Sequence, residues 1–371
     1  MAQAAASPDP IVRCEHVTKR WPRARNAAVA DISLEIAQGA CCVFVGATGS
    51  GKSALLRLIA GLTAPDGGIL TVNGVSVAQN HPAIQTFASY MAPENDVPEG
   101  VGVADLLSLT GMLRGMSAKE ARSACHDLLD RAGLDAVVRR PLRALPPAQQ
   151  QLARFCATLM GYPHLLVLDD PARDLDPTQH TWFWGLLRQL HEETGMTIIL
   201  ATSDLSAVER LATQVVFLRE GQVMAAGTPQ ALERQFGIGP RMDMRLKPGS
   251  QLTDEMRRQL RTLGELVELE RYTLALYPKP DVIGSLAQQV SAPAQPRSRA
   301  RTNAGKVSNT PSTPVDMRAD SWLLDRSGLP GTLGRTVDEI FAILGAFQIA
   351  EFWFSPPTLL DVYQRIEGDK A

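Results

Sequence analysis

The sequence predicts an α/β protein with a mainly parallel central sheet, and three observations lead to this fold class. Apolar strand candidates alternate with helical patterns between residues 43 and 201, an order typical of parallel sheets covered by helices. The apolar run at residues 43–45 leads directly into Gly-x-x-x-x-Gly-Lys-Ser and then into an amphipathic helix. Period-two alternation through Ile32, Leu34 and Ile36 adds an antiparallel β portion near the N-terminus.

The glycine-rich segment from Gly46 to Ser53 has the composition of a phosphate-binding P-loop in its required context, between a strand and a helix. Its glycines let backbone N–H groups converge on phosphate oxygens, and the helix N-terminus adds partial positive charge. Lys52 would neutralise the β- and γ-phosphates, and the Ser53 hydroxyl would take a Mg²⁺ position. We therefore expect a nucleoside triphosphate here, the alternative being a glycine turn that only joins a strand to a helix. The expected binding residues are Gly46, Ala47, Thr48, Gly49, Ser50, Gly51, Lys52, Ser53 and Ala54.

The composition limits the classes of function that the chain can have. With 371 residues the chain exceeds one typical domain, and its formal net charge of −2 provides no basic field for nucleic acid. The five cysteines show no metal or redox spacing and suit reduced thiols in a cytosolic protein. The N-terminus lacks the features of a signal peptide, and no apolar run reaches membrane-spanning length. We expect a soluble chain that reaches a membrane only through a partner.

Local patterns place the elements of the first part of the chain. The predicted strands lie within residues 11–37 and at 43–45, 69–77 (a pair broken at Asn73-Gly74), 87–91, 165–168, 197–201, 215–218 and 222–226. The predicted helices follow the P-loop and lie at residues 103–114, 118–132 and 149–160. Ser117 and Glu120 form a capping-box pattern at the start of the second of these three.

A composition break after Gly227-Thr228-Pro229 predicts a domain boundary. We expect a tail at residues 1–10, a main domain at 11–236, and a small α+β domain formed by 237–290 and 321–371. The predicted elements of the second domain are strands at 242–246, within 266–277 and at 349–354, and helices at 253–263, 281–290, 337–347 and 358–366. Residues 291–320, rich in Pro, Ser and Arg, predict a flexible insertion. Its basic residues indicate either a solvated linker or a contact with phosphates or lipid head groups.

The P-loop, Asp169, Leu175-Asp176 and the hairpin at Glu220-Gly221 occur in an order and spacing that resemble an ABC-type ATP-binding subunit. The resemblance covers residues 11 to about 235, and the tail at residues 355–363 resembles the C-terminal extension of subunits that serve drug, lipid or polysaccharide exporters. It implies a P-loop NTPase core with an antiparallel β subdomain and a helical subdomain. It also implies a head-to-tail dimer, in which each ATP lies between one subunit's P-loop and the other's signature loop.

Three further residues match the nucleotide-binding half of the family's site. Trp21 matches the aromatic residue that stacks on adenine, although a partly exposed packing role would also suit a ring beside a turn. Asp169, at the end of a buried strand, matches the residue that holds Mg²⁺ directly or through water. Asp176 matches the loop that crosses the dimer interface.

The catalytic half departs from the family. Asp170 stands where a glutamate is usual, so the carboxylate is one methylene shorter. Ser203 aligns with the histidine that contacts the γ-phosphate, and it is too short and never cationic. In a less favoured register Asp204 would take that place. Pro93 aligns with the glutamine that links the site to the membrane partner, and Glu94 would substitute if the loop shifted by one residue.

The signature loop departs most, because Leu-Ser-Gly-Gly-Gln becomes the sequence Leu145-Pro146-Pro147-Ala148-Gln149. The family's serine hydroxyl and glycine amides bind the partner's γ-phosphate at a helix N-terminus. Pro146 and Pro147 remove the hydroxyl and two N–H donors, although prolines are accepted in a first helical turn. We therefore expect the helix to persist while its anion site is lost.

These observations predict the ATP-binding subunit of an ABC exporter, which binds Mg²⁺ and ATP and hydrolyses ATP slowly, with Asp170 and Ser203 as degenerate catalytic residues. The expected partners are an integral membrane permease and a second ATP-binding subunit, in a homodimer or heterodimer, without nucleic acid. The expected location is the cytoplasmic face of the cell membrane. One alternative is a non-catalytic switch, in which ATP drives dimerisation or docking. A further alternative is a soluble ABC-type protein that acts on ribosomes or DNA.

Overall fold

The computed structural model describes residues 10–22, 24–94, 97–202, 204–205, 209, 211–236, 241–250, 252–270, 272–278, 331–345, 348–355 and 358–368. The chain divides into two compact units, Met1–Leu232 together with Ile366–Ala371, and Glu233–Arg365. Each unit has its own buried apolar cluster. The predicted short helix at 281–290 and the predicted insertion at 291–320 lie outside the described residues.

The elements follow one another in a mixed α/β order. The strands are β1 Pro10–Lys19, β2 Val29–Ala37, β3 Cys41–Val45, β4 Gly67–Val72, β5 Val75–Ser76, β6 Ala88–Met91, β7 Leu165–Asp169, β8 Thr197–Ala201, β9 Gln214–Arg219, β10 Gln222–Gly227, β11 Arg241–Leu246, β12 Gly264–Glu270, β13 Thr273–Pro278 and β14 Ile349–Ser355. The helices are α1 Lys52–Ile59, α2 Val77–Ile84, α3 Val103–Leu113, α4 Ala118–Arg131, α5 Pro147–Leu159, α6 Pro177–Thr194, α7 Pro229–Gln235, α8 Asp254–Leu263, α9 Gly331–Leu344 and α10 Leu359–Gly368.

Two sheets form the first unit, as the predicted fold class requires. The larger sheet has the order β10-β9-β3-β8-β7-β6 and is parallel except at β10. Every residue of β3, β7 and β8 is buried, because these apolar strands are covered on both faces. The smaller sheet, β2-β1-β4-β5, is antiparallel, and burial in β2 alternates because one face of this strand is exposed.

Helices α3, α4 and α5 contact one another and form the helical subdomain. The predicted capping box at the start of α4 is confirmed: Ser117 Oγ accepts from the Glu120 N–H, and Glu120 Oε2 accepts from the Ser117 N–H at 2.8 Å. Helix α5 begins at Pro147, two residues before the predicted start. A proline at the first helical position lacks an N–H that the helix would not use there, so both prolines fit without breaking the helix.

The sequence analysis did not predict helices α2, α6 and α7. The strand expected to reach Val77 ends at Ser76, and Val77 begins α2. At α6, Asp176 Oδ1 accepts from the N–H groups of Thr178 and Gln179 at 2.9 and 2.8 Å. Asp176 therefore caps this helix, in addition to any role in a dimer, and Asp-Pro with glutamine three residues after the aspartate is a start signal that the sequence already contained.

The second unit is an antiparallel sheet of order β12-β13-β11-β14 with helices α8 and α9 in contact. The chain order strand–helix–strand–strand–helix–strand gives the split βαβ arrangement of ferredoxin-like domains. Met242, Met244, Leu260 and Ile340 are among its buried core residues. Helix α9 begins at Gly331, six residues before the predicted start, and the predicted strands and the other two described helices of this domain are present.

No helix among the described residues combines the length and the apolar composition needed to cross a bilayer.

The five cysteines are free and buried, and this burial makes a testable difference to their reactivity. Burial raises the pKa of the Cys14, Cys41 and Cys156 thiols to about 12, and it also raises the pKa of Cys42 and Cys125. Because the thiolate is the reactive form, we expect a disulfide reagent at pH 8 to label the native protein very slowly and all five thiols once denaturant is added. Stoichiometric labelling of the native protein within the first minute would contradict the described core.

Candidate functional site

Three adjacent parallel strands end at the same edge of the larger sheet and bring the predicted site residues together. In the register of the sheet, Phe44 of β3 pairs with Ala201 of β8, and Ala201 pairs with Asp169 of β7. The P-loop follows β3 directly, and Asp170 follows β7. Ligands of open α/β sheets bind at the carboxyl ends of the strands, so this edge is the candidate site.

The side chain of Lys52 lies across the P-loop. Its Nζ donates to the carbonyl oxygens of Gly46 at 2.6 Å and Ala47 at 2.9 Å, and it lies 3.3 Å from Ser50 Oγ. Burial lowers the pKa of Lys52, while the charges of Asp169 and Asp170 oppose that shift. The lysine ammonium therefore lies in the same electrostatic field as both carboxylates. Thr48 and Gly49 are exposed, and Ala54 is buried beneath them in the first turn of α1.

Two P-loop glycines are required by close backbone contacts. A Cβ on Gly46 would overlap the Leu218 carbonyl oxygen, and a Cβ on Gly51 would overlap the Ala28 carbonyl oxygen. Gly51 also has a φ of +102°, in the region that favours glycine. The loop is thus packed between the ends of β9 and β2, which keeps its backbone close to the sheet.

The β9–β10 hairpin and the turn after β1 complete the surroundings of the loop. The Gly221 N–H donates to the Ser50 carbonyl at 3.0 Å. The Ala28 carbonyl approaches Gly51, and the Ala28 N–H donates to the Lys19 carbonyl at 2.8 Å. Trp21, two residues after Lys19, is partly buried against the core, and its ring centroid lies 5.5 Å from Lys19 Nζ. The structure thus places Trp21 in the segment next to the P-loop.

Asp169 is 3% exposed and contacts a residue that the sequence analysis missed. Tyr90 of β6 donates its hydroxyl to Asp169 Oδ2 at 3.2 Å. Burial and then the charge of Asp169 raise the pKa of Tyr90 to about 12, so the phenol keeps its proton. The guanidinium of Arg57, in the last turn of α1, opposes this rise in the pKa of Tyr90. No sequence pattern indicates this contact, because it depends on the pairing of two strands that are far apart in the sequence.

Asp170 turns sharply away from the end of β7. Its φ is +50°, which is uncommon for a residue with a side chain but is tolerated by aspartate, and its N–H donates to the Ala201 carbonyl at 2.9 Å. Burial raises the pKa of the Asp170 carboxyl, and Arg173 opposes that shift. The buried Gln151 of α5 supports this turn by donating from Nε2 to the Pro171 carbonyl at 2.7 Å.

The oxygen donors at this edge fit Mg²⁺. The Ser53 hydroxyl and the carboxylates of Asp169 and Asp170 are hard ligands of the type that Mg²⁺ binds, usually with substrate phosphates and water. The buried Asp169 carboxylate lies near one lysine and a second carboxylate, so a divalent cation would improve the charge balance. No group of three or more His, Cys, Asp or Glu suited to a metal occurs among the described residues.

The N-terminus of α5 lacks the donors that its position would otherwise provide. Pro146 is the N-cap residue and Pro147 the first residue of the helix, so neither has an N–H. The Gln150 N–H donates to the Pro146 carbonyl at 3.0 Å, and Gln150 Nε2 donates to the Leu145 carbonyl at 2.7 Å. The glutamine side chain is therefore turned back towards the preceding loop.

Two arginines that the sequence analysis did not single out hold the loop at residues 92–94 by its backbone. Arg154 of α5 donates to the carbonyl oxygens of Ala92 and Glu94, and Arg173 donates to the carbonyl oxygen of Pro93. Arg154 Nη1 also donates to Gln151 Oε1 at 3.1 Å. The loop thus contacts both the helical subdomain and the segment after β7, although Pro93 has no polar side chain.

Ser203 lies outside the described residues, so its predicted role stays a prediction. The residues on either side of it are described. Thr202 is buried and its Oγ1 accepts from the Asp204 N–H at 3.1 Å. The Asp204 carboxylate lies 2.8 Å from Nε2 of His180 in α6, which directs this side chain towards the helix.

The chain is similar in sequence to a known family and to named proteins. A family model described as ABC transporter matches residues 29–173. An ABC transporter ATP-binding protein of Methanopyrus kandleri is 32% identical over 224 residues, which are 58% of this chain and 83% of the relative. The daunorubicin resistance ATP-binding protein DrrA3 of Streptomyces coeruleorubidus is 29% identical over 66% of this chain and 76% of its own length. The Nod factor export ATP-binding protein I of Ralstonia nicotianae is 28% identical over 77% and 88%, respectively.

A solved structure has the same fold in the first unit. The dimeric ATP-binding cassette MJ0796, in a post-hydrolysis state bound to ADP and Pi, superposes with a TM-score of 0.56 and 22% identity. The match covers 58% of this chain and 98% of the cassette. At this identity the similarity supports the fold, which is that of an ATP-binding cassette.

A pair of glycine substitutions tests the P-loop geometry. Gly51→Ala places a Cβ against the Ala28 carbonyl at a φ of +102°, whereas Gly49→Ala has a φ of +84° but open space around its Cβ. Left-handed backbone costs about 1–2 kcal/mol for a residue with a Cβ, and only Gly51→Ala adds an overlap with backbone. We expect Gly51→Ala to lower the melting temperature by several degrees more than Gly49→Ala in a calorimetric scan. Equal shifts for the two variants would show that the loop is not packed against β2.

Proposed function

Since the chain belongs to the ABC transporter ATP-binding family, we propose that it is the ATP-binding subunit of an exporter and that it hydrolyses ATP weakly. The observation that carries this proposal is a contrast within one chain: a complete P-loop beside a buried Asp169, and a signature helix whose N-cap and first residue are both prolines. Export is supported by relatives named for daunorubicin resistance and Nod factor export.

In this proposal the P-loop binds the phosphates of ATP with its backbone N–H groups. Lys52 leaves the loop carbonyls and binds the β- and γ-phosphates, which supply stronger acceptors than a neutral carbonyl. The Ser53 hydroxyl and Asp169 hold Mg²⁺, which neutralises charge on the phosphates. Trp21 stacks on the adenine from the turn beside the loop. The remaining phosphate contacts come from the residues between Gly46 and Ala54.

In this proposal two parts of the chain weaken hydrolysis. One is the pair Asp170 and Ser203 beside its own P-loop, and the other is the proline pair of its signature loop. Asp170 positions water as a short general base, and an error of about 1 Å in such a position costs roughly a hundredfold in rate. Ser203 replaces a longer cationic donor. Pro146 and Pro147 deprive the partner's γ-phosphate of a hydroxyl and two N–H donors, each charge-assisted bond being worth about 1.5–3 kcal/mol. In a head-to-tail homodimer both sites carry both defects, whereas an orthodox partner subunit leaves one defect in each site.

A groove of about 550 Å³ beside the site is the proposed docking place for the permease. It is lined by Leu62, Tyr90, Leu113 and Arg114, among other residues. Leu62 and Leu113 are 45% and 79% exposed, and Leu109 and Met112 on the same helix α3 are also exposed. The exposed apolar side chains of Leu62 and Leu113 in this groove indicate a partner surface. A cytoplasmic segment of the permease would cover them and would place this chain on the inner face of the membrane.

The loop at residues 92–94 connects this surface with the nucleotide in the proposal. Its carbonyl oxygens are held by Arg154 and Arg173, so a movement of the loop would be transmitted through the backbone to α5 and to the turn at Asp170. This replaces a side-chain link that Pro93 cannot make.

We assign residues 11–236 to the ATP-binding domain. The C-terminal extension comprises residues 237–290 and 321–371, with 291–320 as an insertion. The split βαβ unit supports a separately folded extension of this kind. The ATP-driven switch without turnover stays as the second function, and the prolines at the start of α5 are the observation in its favour.

Removal of the P-loop lysine tests ATP binding. Lys52→Ala deletes the one P-loop cation and a charge-assisted bond to the phosphates, so we expect Mg-ATP to bind at least about tenfold more weakly in calorimetry. Lys119→Ala, which removes an exposed lysine in the first turn of α4, is the matched control and should bind as the wild type does. Unchanged affinity in Lys52→Ala would disprove the assignment of the nucleotide site.

Restoring the family residues tests weakened hydrolysis. The triple variant Asp170→Glu, Pro146→Ser and Pro147→Gly returns the longer carboxylate, the hydroxyl and two N–H donors. We expect its steady-state phosphate release to exceed that of the wild type by tenfold or more, since both halves of each homodimeric site improve. Rates that stay at background in wild type and variant, with ATP still bound, would favour the switch.

A further inference from the structure

Tyr90 contacts the proposed metal ligand Asp169 and also lines the proposed permease groove. Its hydroxyl donates to Asp169 Oδ2, and its ring is partly buried against the core. The same side chain lines the groove next to Leu62 and Leu113. Asp169 ends β7, and Tyr90 lies on β6. Their contact therefore joins the proposed metal ligand to the strand that leads into the loop at residues 92–94.

The register of the sheet explains why the phenol reaches this carboxylate. Tyr90 pairs with Val167 in the parallel ladder between β6 and β7. Because side chains alternate between the two faces of a strand, Val167 and Asp169 point to the same face. Tyr90 therefore lies on the same face as Asp169, which is two residues beyond its pairing partner Val167. The long tyrosine side chain covers the remaining distance. Pairing of β6 shifted by one residue would turn Tyr90 to the opposite face.

A phenol bonded to one carboxylate oxygen fixes the rotation of the carboxylate. Asp169 is almost fully buried. Without this hydrogen bond its carboxylate would be free to rotate, and holding it in the orientation that binds a metal would cost more free energy. The hydrogen bond from the Tyr90 hydroxyl thus orients Asp169.

We propose that Tyr90 is a positioning residue that orients Asp169 for Mg²⁺ and links the partner groove to the metal. This inference rests on the proposed function, because it requires Mg-ATP to bind at the P-loop. The link runs through a side chain three residues before Pro93. Displacement of Tyr90 by a segment in the groove would release the carboxylate and weaken the hold on Mg²⁺.

The test compares ATP affinity with and without the metal. Tyr90→Phe keeps the ring in the core and removes only the hydroxyl. We expect ATP in EDTA to bind wild type and Tyr90→Phe within twofold of each other, whereas the tightening on adding Mg²⁺ should be at least threefold smaller in the variant. Mn²⁺ in place of Mg²⁺, followed by electron paramagnetic resonance, should show weaker metal binding in the ternary complex. A merely structural role would lower affinity equally with and without metal, and that result would overturn the proposal.

Two further variants distinguish the possible failures. Asp169→Asn should remove the metal-dependent gain, and adding Tyr90→Phe to it should cause no further loss, because the two residues act through one contact. Tyr277→Phe is the matched control, since it removes a phenol that donates to Asp361 within the second unit, and the effect of Mg²⁺ should stay at the wild-type value. Additive losses in the double variant would contradict the proposal for Tyr90. Failure of the wild type to bind ATP would instead disprove the proposed function itself.

Discussion

The register of three parallel strands is the constraint on which the candidate site depends. Phe44, Ala201 and Asp169 lie side by side across β3, β8 and β7, so the P-loop and the two aspartates emerge at one level. Apart from Thr197 and Asp169 these strands are apolar, and their register is fixed by backbone pairing and by packing on both faces. A shift of one residue in β7 would move Asp169 to the other face. Burial of the strands thus determines the position of the polar residues at their ends.

The P-loop and its surroundings were predictable because the information is local. A strand, a spaced set of glycines and a lysine–serine pair specify the loop within about fifteen residues, and the loop geometry then follows from glycine and helix-start chemistry. The capping box at Ser117 is equally local and was confirmed. Helix α6 was missed although Asp176, Pro177 and Gln179 give a start signal of the same kind. The Asp176 side chain caps this helix as well as matching the family's dimer-interface loop.

The long-range contacts could not be predicted from one sequence. Tyr90 lies 79 positions from Asp169, and Arg173 lies 80 positions from Pro93. Nothing in the residue types near these positions indicates a partner, because a tyrosine in a strand and an arginine in a loop are ordinary surface or packing residues. Only the order and register of β6 and β7 bring them together. The same limit applies to the start of α5, where two prolines are compatible with a loop as well as with a first helical turn.

The pattern of kept and lost groups separates binding from chemistry. ATP binding needs the loop backbone, Lys52 and a metal carboxylate, and these lie on elements that the core fixes in place. Turnover also needs a water held in line and a donor array from a second chain, and it is these groups that Asp170, Pro146 and Pro147 alter. In the proposed function, the arginine contacts to the backbone at residues 92–94 and the Tyr90–Asp169 bond connect the nucleotide site with the groove without a glutamine side chain. The proposed function, in which the chain binds ATP and transmits its presence while its turnover depends on the partner subunit, rests on that separation.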